Sequence, residues 1–386
     1  MPTTTSVPWE AALARRLARQ SLDRPAPAAG SAGIAATAGA MMGAHAQVLS
    51  AAELSLALRL DGATRTDVRS ALWADRTLVK TYGPRGTVHL LPAADLPWWT
   101  GALSAVPGPA ALPEPARMTP QQTDEVVAAV ADALTDAELT VDELTEAVVA
   151  RTGPWAGDPV MPAFRTMWPR WRQALHTAAH RGVLVFGPDR GRKATYTRPN
   201  CTPQPAGPAL DVLVDHYLHA YGPATTQDFA RWLAAPEAWA ARLLRQLADR
   251  QRIEEVSFAS APAWVAAGDT DFPATPARRC LRLLPYFDAY VVAGRPRERL
   301  FPGPARTRAL AGGQAGNYPV LLVDGVVAGV WHQRRSGRRI LLTAEPLAPL
   351  GPRDRRLLEA EAERTATILE GRVELTVGTV TAGPHA

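Results

Sequence analysis

The sequence predicts an α+β fold: three tandem winged helix-turn-helix units followed by a small, mostly antiparallel β-barrel or sheet. Three observations carry that expectation. A helix-capping pattern, Ser or Thr with Glu or Asp three residues on, recurs at roughly even spacing ahead of apolar helical runs: Ser50 with Glu53, Thr140 with Glu143, and Thr225 with Asp228. Each is followed by a second helical stretch and then by two short β-branched runs broken by turn residues. Beyond about Phe272 the pattern changes to strands. Helix, capped helix, longer helix, hairpin is winged-helix order, and a period of this size is the signature of a repeat.

Taken in order, the first unit has a second helical stretch at 66–75 and a hairpin from 77–81 and 87–91 around Gly83-Pro84-Arg85. The second has a long helical stretch at 164–181 and strand-like runs at 183–186 and 194–197, with 187–193 as the tip between them. The third continues with 236–250 and runs at 253–258 and 263–267. Gly and Pro between such runs mark hairpins. The last unit reads as strands at 281–284, 289–293, 320–323, 326–331 and 340–342, a helix near 353–370, and a strand at 373–377. Asp324-Gly325 is a strong two-residue hairpin signal. Pro-rich joints at 107–115 and 199–208 set the expected units at 1–106, 116–200, 208–270 and 271–386.

Composition narrows the class. A hydrophobic share of 47% over 386 residues allows a sizeable core, and no run approaches the ~18 apolar residues of a membrane helix. The first residues, from Met1 to Ser6, lack the basic-then-apolar order of a signal peptide, so a cytoplasmic, reduced protein is expected. Cys201 and Cys280 stand far apart without a Cys-x-x-Cys. His176 with His180 and His216 with His219 have metal-like spacing but no evident third ligand, and read as solvated helix faces. The 187–193 segment lacks the spacing and Ser/Thr of a phosphate loop, and no Gly-x-Ser-x-Gly elbow exists. No metal and no cofactor is expected.

Of 42 basic residues only Lys80 and Lys193 are lysine, leaving 40 arginines at a net charge of +5. Genome bias accounts for most of that total, since Ala, Gly and Pro are abundant too. Placement is more informative. Arg190, Arg192 and Lys193 sit at the tip of the second hairpin, and Arg334, Arg335, Arg338 and Arg339 form a basic hairpin tip suited to straddling phosphates. Glu254-Glu255 in the third hairpin argues that this wing faces away from DNA.

The candidate site is the stretch from Gly43 to Leu54. A helix ends, a turn carries His45 and Gln47 between apolar residues, and a new helix starts at Ser50. Two hydrogen-bonding side chains two positions apart can hold a water. Neutral His45 can accept a proton from it or hydrogen-bond it, and Gln47 can orient it. No lysine is near in sequence to form a Schiff base.

The residues around His45, Arg85-Gly86-Thr87 with His89-Leu90, Gly222-Pro223-Ala224-Thr225, and Val323-Asp324-Gly325 with Gly329 and Trp331 resemble the AlkZ-like DNA glycosylases over nearly the whole chain. That resemblance implies three winged helices and a C-terminal β-barrel around a DNA-binding channel, with Arg85 among the DNA-binding residues. It also implies monofunctional hydrolysis of the N-glycosidic bond of alkylated bases. The expected substrates are bulky N7-alkylguanine adducts of azinomycin- or trioxacarcin-like genotoxins, removed as self-resistance. The family signature is Gln-apolar-Gln; here His45 replaces the first Gln and Gln47 conforms. Alkylation at N7 makes the base a cationic leaving group, so the enzyme chiefly has to hold water at C1′ of an oxocarbenium-like sugar. Approach from the minor groove would need no deep aromatic base pocket. Double-stranded alkylated DNA is the expected partner, and the protein a monomer. A winged-helix transcriptional regulator, with one dominant recognition helix and a dimer interface, and a drug-sequestering resistance protein are the alternatives.

Overall fold

Three successive groups of helices each end in an antiparallel hairpin, and an open sheet completes the chain. The computed structural model describes residues 5–108, 113–114, 116–163, 166–273 and 279–384. Parts of the expected 107–115 joint and the expected helix start at Phe164 lie outside the described residues.

The first group comprises helices Gly30–Ala40, Leu49–Ala57 and Arg65–Arg69, the last running on as a π-turn. Its hairpin pairs Leu78–Tyr82 with Val88–Pro92, and the two-residue strand Ala44–His45 adds to the Val88–Pro92 edge. The second has helices Pro120–Ala133, Val141–Thr152 and Leu175–His180 and pairs Val185–Arg190 with Lys193–Thr197. The third has helices Ala206–Tyr221, Thr226–Leu233 and Glu237–Asp249 and pairs Ile253–Phe258 with Ala261–Ala266. Ser6–Val7 adds in parallel to that last hairpin.

Thr140 and Thr225 cap their helices with both bonds of the capping box. Ser50 does not. The helix begins at Leu49 without a side-chain cap, because Glu53 is drawn instead into an ion pair with Arg69 at 2.7 and 3.0 Å. The expected helix at 164–181 is also shorter: Thr166–Pro169 is a strand paired with Pro159–Ala163, and the α-helix itself is Leu175–His180. Prolines at 159, 162 and 169 keep this stretch extended.

The last unit departs from a barrel. Its five strands run in the order Leu281–Leu284, Val320–Val323, Val326–Ser336, Arg339–Pro346, Arg372–Val377, and the two edge strands do not pair with each other. The final strand enters parallel to its neighbour, which requires a crossover, and helix Pro352–Ile368 supplies it. That helix packs Leu358, Ala362 and Ala366 into one core with Leu281, Leu283 and Leu342. A covered face takes the place of closure. Ala289–Ala293, expected as a strand, is a short helix capped by Asp288, which accepts from the Tyr290 N–H at 3.0 Å.

The same core contains Ala44, Ala46, Leu54, Leu56 and Leu58 from the first group, so the C-terminal sheet backs the candidate turn directly. A buried bidentate pair, Arg59 to Asp288 at 2.8 and 2.9 Å, ties the two together. Among the described residues no helix is long and apolar enough to cross a membrane.

Candidate active site

Helix Gly30–Ala40 ends in a tight turn in which the Gly43 N–H donates to Ala38 C=O at 2.8 Å and Met42 to Gly39 at 2.9 Å. Gly43 sits at φ +91°, and a Cβ there would come within 2.6 Å of the Leu91 side chain. Only glycine lets the chain turn so close to the hairpin. The chain then runs extended: Ala44 lies opposite Leu90 and His45 opposite His89, and the Ala46 N–H donates to Val88 C=O at 2.8 Å.

Extended backbone sends alternate side chains to opposite faces. Ala44 and Ala46 are buried in the core, His45 between them is half-buried, and Gln47 is exposed at the bend that follows. The two alanines anchor the segment that carries His45. Helix Leu49–Ala57 starts two residues later with no side-chain cap.

The His45 ring packs tilted against His89, with centroids 4.2 Å apart and planes at 44°, and stands 6.4 Å from the Phe287 ring. His89 Nδ1 lies 2.8 Å from the Thr87 carbonyl; a carbonyl only accepts, so the proton is on Nδ1. Gly83 makes room for that ring, since a Cβ would approach His89 Nδ1 to 2.7 Å. On the other side Arg85 donates through Nη2 to His45 Nε2 at 2.8 Å and through Nη1 to the Trp232 carbonyl at 2.8 Å. A guanidinium cannot accept, so Nε2 of His45 is the acceptor and its proton is on Nδ1.

Burial, then His89, then the Arg85 charge hold the His45 pKa well below its ordinary 6.5. Burial and Arg85 likewise bring His89 down to about 3. Arg85, lowered by burial to about 10, stays charged at neutral pH. The imidazole of His45 is thus neutral, with one donor and one occupied acceptor.

The structure brings His45 and Arg85 together and leaves Gln47 and the remaining expected residues exposed. Arg190 donates to Glu143 at 2.9 Å and to the Glu138 carbonyl at 2.7 Å, and Lys193 pairs with Asp142 at 2.6 Å. Arg192 is exposed beside them. In the C-terminal sheet, Arg335 donates to Leu369 C=O at 2.7 Å and Arg339 holds Glu374 at 2.8 and 2.7 Å. The side chains of Arg334 and Arg338 are exposed, with no side-chain hydrogen bond or ion pair among the described residues. The expected basic tip is a regular hairpin, Ser336 facing Arg339.

Sequence reasoning missed the arginine-rich cleft next to the site. A cavity of about 720 Å³ is walled by Arg85, Arg231, Arg295 and Arg297, with Asp228 and Glu298 as its acids. Phe258, Ala259 and Ala261 from the third hairpin also line it, so that hairpin borders the cleft beside Arg85. Arg231, Arg295 and Arg297 belong to segments that only folding juxtaposes with residue 85. His180, expected on a solvated face, lies half-buried with Nε2 3.3 Å from the Gly83 carbonyl.

Comparison with known proteins agrees with this architecture. The profile of the family described as DNA glycosylase AlkZ-like matches residues 38–368. An interstrand DNA cross-link repair glycosylase of Streptomyces sahachiroi is 33% identical over 342 residues, covering 84% of this chain and 87% of its own. The solved structure of S. sahachiroi DNA glycosylase AlkZ superposes with a TM-score of 0.78 at 29% identity, over 96% of this chain and 100% of that one. The chain therefore belongs to the AlkZ-like DNA glycosylases, DNA-binding repair enzymes that hydrolyse N-glycosyl bonds.

Proposed function

We propose that this chain is a monofunctional glycosylase acting on bulky N7-alkylguanine in double-stranded DNA, including natural-product adducts, and leaving an abasic site. The cross-link repair named for the Streptomyces relative extends the proposal to interstrand cross-links. The observation that carries the reading is His45 held between Arg85 and His89 beside a core-anchored Ala46, with Gln47 exposed at the bend that follows. A water held there can be oriented by the Gln47 amide oxygen and hydrogen-bonded by the remaining N–H of His45. With its pKa depressed and its lone pair engaged by Arg85, His45 acts by positioning water rather than by taking a proton.

Both lysines stand away from this chemistry, which supports hydrolysis without a lyase step. Lys80 packs over the Phe186 ring at 4.7 Å and Lys193 pairs with Asp142. Supporting the tandem winged-helix reading, each group supplies helices followed by a hairpin, within proposed units 1–106, 116–200, 208–270 and 271–386. Arg192, Arg334 and Arg338 carry the exposed guanidiniums best placed for phosphates. We take the protein to act as a cytoplasmic monomer, one chain holding every group named in the site.

The test is a duplex oligonucleotide with one N7-alkylguanine. Incubation followed by alkali should cleave at the lesion, and the released base should carry the adduct. Tight binding without alkali-labile sites would instead mark a regulator or a drug-sequestering protein.

A further inference from the structure

We infer that Arg85 is a positioning residue, whose guanidinium fork fixes the tautomer and orientation of His45. This rests on the reading of His45 given above. Arg85 lies in the loop of the first hairpin at φ +63°, a left-handed conformation that a non-glycine residue seldom adopts. That backbone turns the side chain inward. One end of the fork meets the Trp232 carbonyl, near the end of helix Thr226–Leu233, and the other meets His45 Nε2, both at 2.8 Å.

The anchor is main chain, so the third group of helices holds the fork still. His89 fixes the opposite side of the ring, and it is itself locked by Thr87 and by the space left at Gly83. A planar five-donor fork can serve both acceptors at once, whereas an ammonium presents a single point charge. Arg85 is among the residues expected from the sequence to bind DNA. Here each terminal nitrogen already donates one bond inside the protein, so protein acceptors set the orientation of the fork. The consequence is chemical. A neutral histidine has two tautomers, and Arg85 permits only the one that leaves Nδ1–H as the free donor.

The experiment compares the parent with Arg85→Met, Arg85→Lys, His45→Ala and the Arg85→Met/His45→Ala pair. In 15N-histidine spectra the parent His45 should show a protonated Nδ1 and a bare Nε2, and Arg85→Met should move the proton to Nε2 or mix the forms. Single-turnover excision at saturating DNA should fall on the order of 10–100-fold in Arg85→Met, the usual scale for a partner that orients a working imidazole. Arg85→Lys should recover part of it, and serves if the Met variant does not fold. DNA affinity and its salt slope should not change, and Arg85→Met should add no loss to His45→Ala.

Three results would overturn the assignment: an unaltered His45 tautomer, multiplicative losses in the double variant, or a salt slope reduced by about 0.9, which is the mark of one phosphate contact. If His45→Ala alone excises at the parental rate, the site reading fails, while the spectra still decide whether Arg85 governs the tautomer.

Discussion

Asp288→Asn should be among the most destabilising isosteric changes in this protein. The Asp288 carboxylate is 0% and the Arg59 side chain 1% exposed, and their two bonds are 2.8 and 2.9 Å. Ser55 adds a hydroxyl donor at 2.5 Å. Asn keeps the volume and can still cap Tyr290, so the substitution removes charge without opening a cavity. What it leaves is a buried guanidinium with no counter-ion, a loss of about 3–5 kcal/mol. Against a total of roughly 5–15 kcal/mol that is a large fraction. The pair joins the segment after helix Leu49–Ala57 to the one that carries Phe287, which faces His45. Urea unfolding monitored by tryptophan fluorescence gives the midpoint and slope. An apolar replacement of both partners, Arg59→Met with Asp288→Leu, should recover most of the loss, because no charge is then stranded. A loss below about 1 kcal/mol in Asp288→Asn would refute the argument, since the paired charge would then contribute no more than an exposed one.

Gln47→Ala should leave thermal stability and DNA affinity near parental values, Gln47 being exposed, and reduce excision roughly 10²-fold; His45→Ala should match it and His45→Gln retain part. Excision at the parental rate by both alanine variants sinks the site. Arg334→Ala and Arg338→Ala should each lower the salt slope of DNA binding by about 0.9, while Arg335→Ala and Arg339→Ala change it less, because their guanidiniums already have protein acceptors. Equal slopes for all four would remove that distinction. Stability should fall as pH drops below 6.5, because the unfolded chain takes up protons that buried His89, with its pKa near 3, refuses. At pH 5 that single group costs about 2 kcal/mol, readable as a lowered melting temperature that His89→Gln makes shallower with pH.

What the sequence made legible is mostly local. The caps at Thr140 and Thr225, the Asp324-Gly325 turn and the three hairpins depend on residues within a few positions of one another, and each forms. Glu53 shows the limit: its local role as a cap loses to Arg69, 16 residues away. The apolar run Ala289–Ala293 is too short for periodicity to separate strand from helix, and the Asp288 cap decides it. His45 and Gln47 stand out because they are two hydrogen-bonding side chains set between apolar residues just ahead of a helix. Their neighbours do not, since His89 and Arg85 reach His45 across a strand pairing some forty residues distant in sequence. Barrel or open sheet was likewise beyond local reading, because it turns on which edge the last strand joins.

The neutral state of His45 bears on why histidine can stand where relatives are expected to carry glutamine. An amide side chain offers both a donor and an acceptor, and so does a neutral imidazole; an imidazolium offers two donors and no acceptor. Burial, His89 and the Arg85 charge all push His45 toward the neutral form, so the ring matches the amide in hydrogen-bonding character. The same surroundings deny the site a proton donor for the departing base. His45 is too weakly basic to arrive protonated, and Arg85 at about 10 holds its proton through neutral pH. On the proposed reading the missing acid is supplied by the substrate, because guanine alkylated at N7 already bears the positive charge that protonation would otherwise provide. The enzyme's part is then to hold one water at the right place, and a neutral imidazole fixed by Arg85 and His89 suits that part better than a titrating base would.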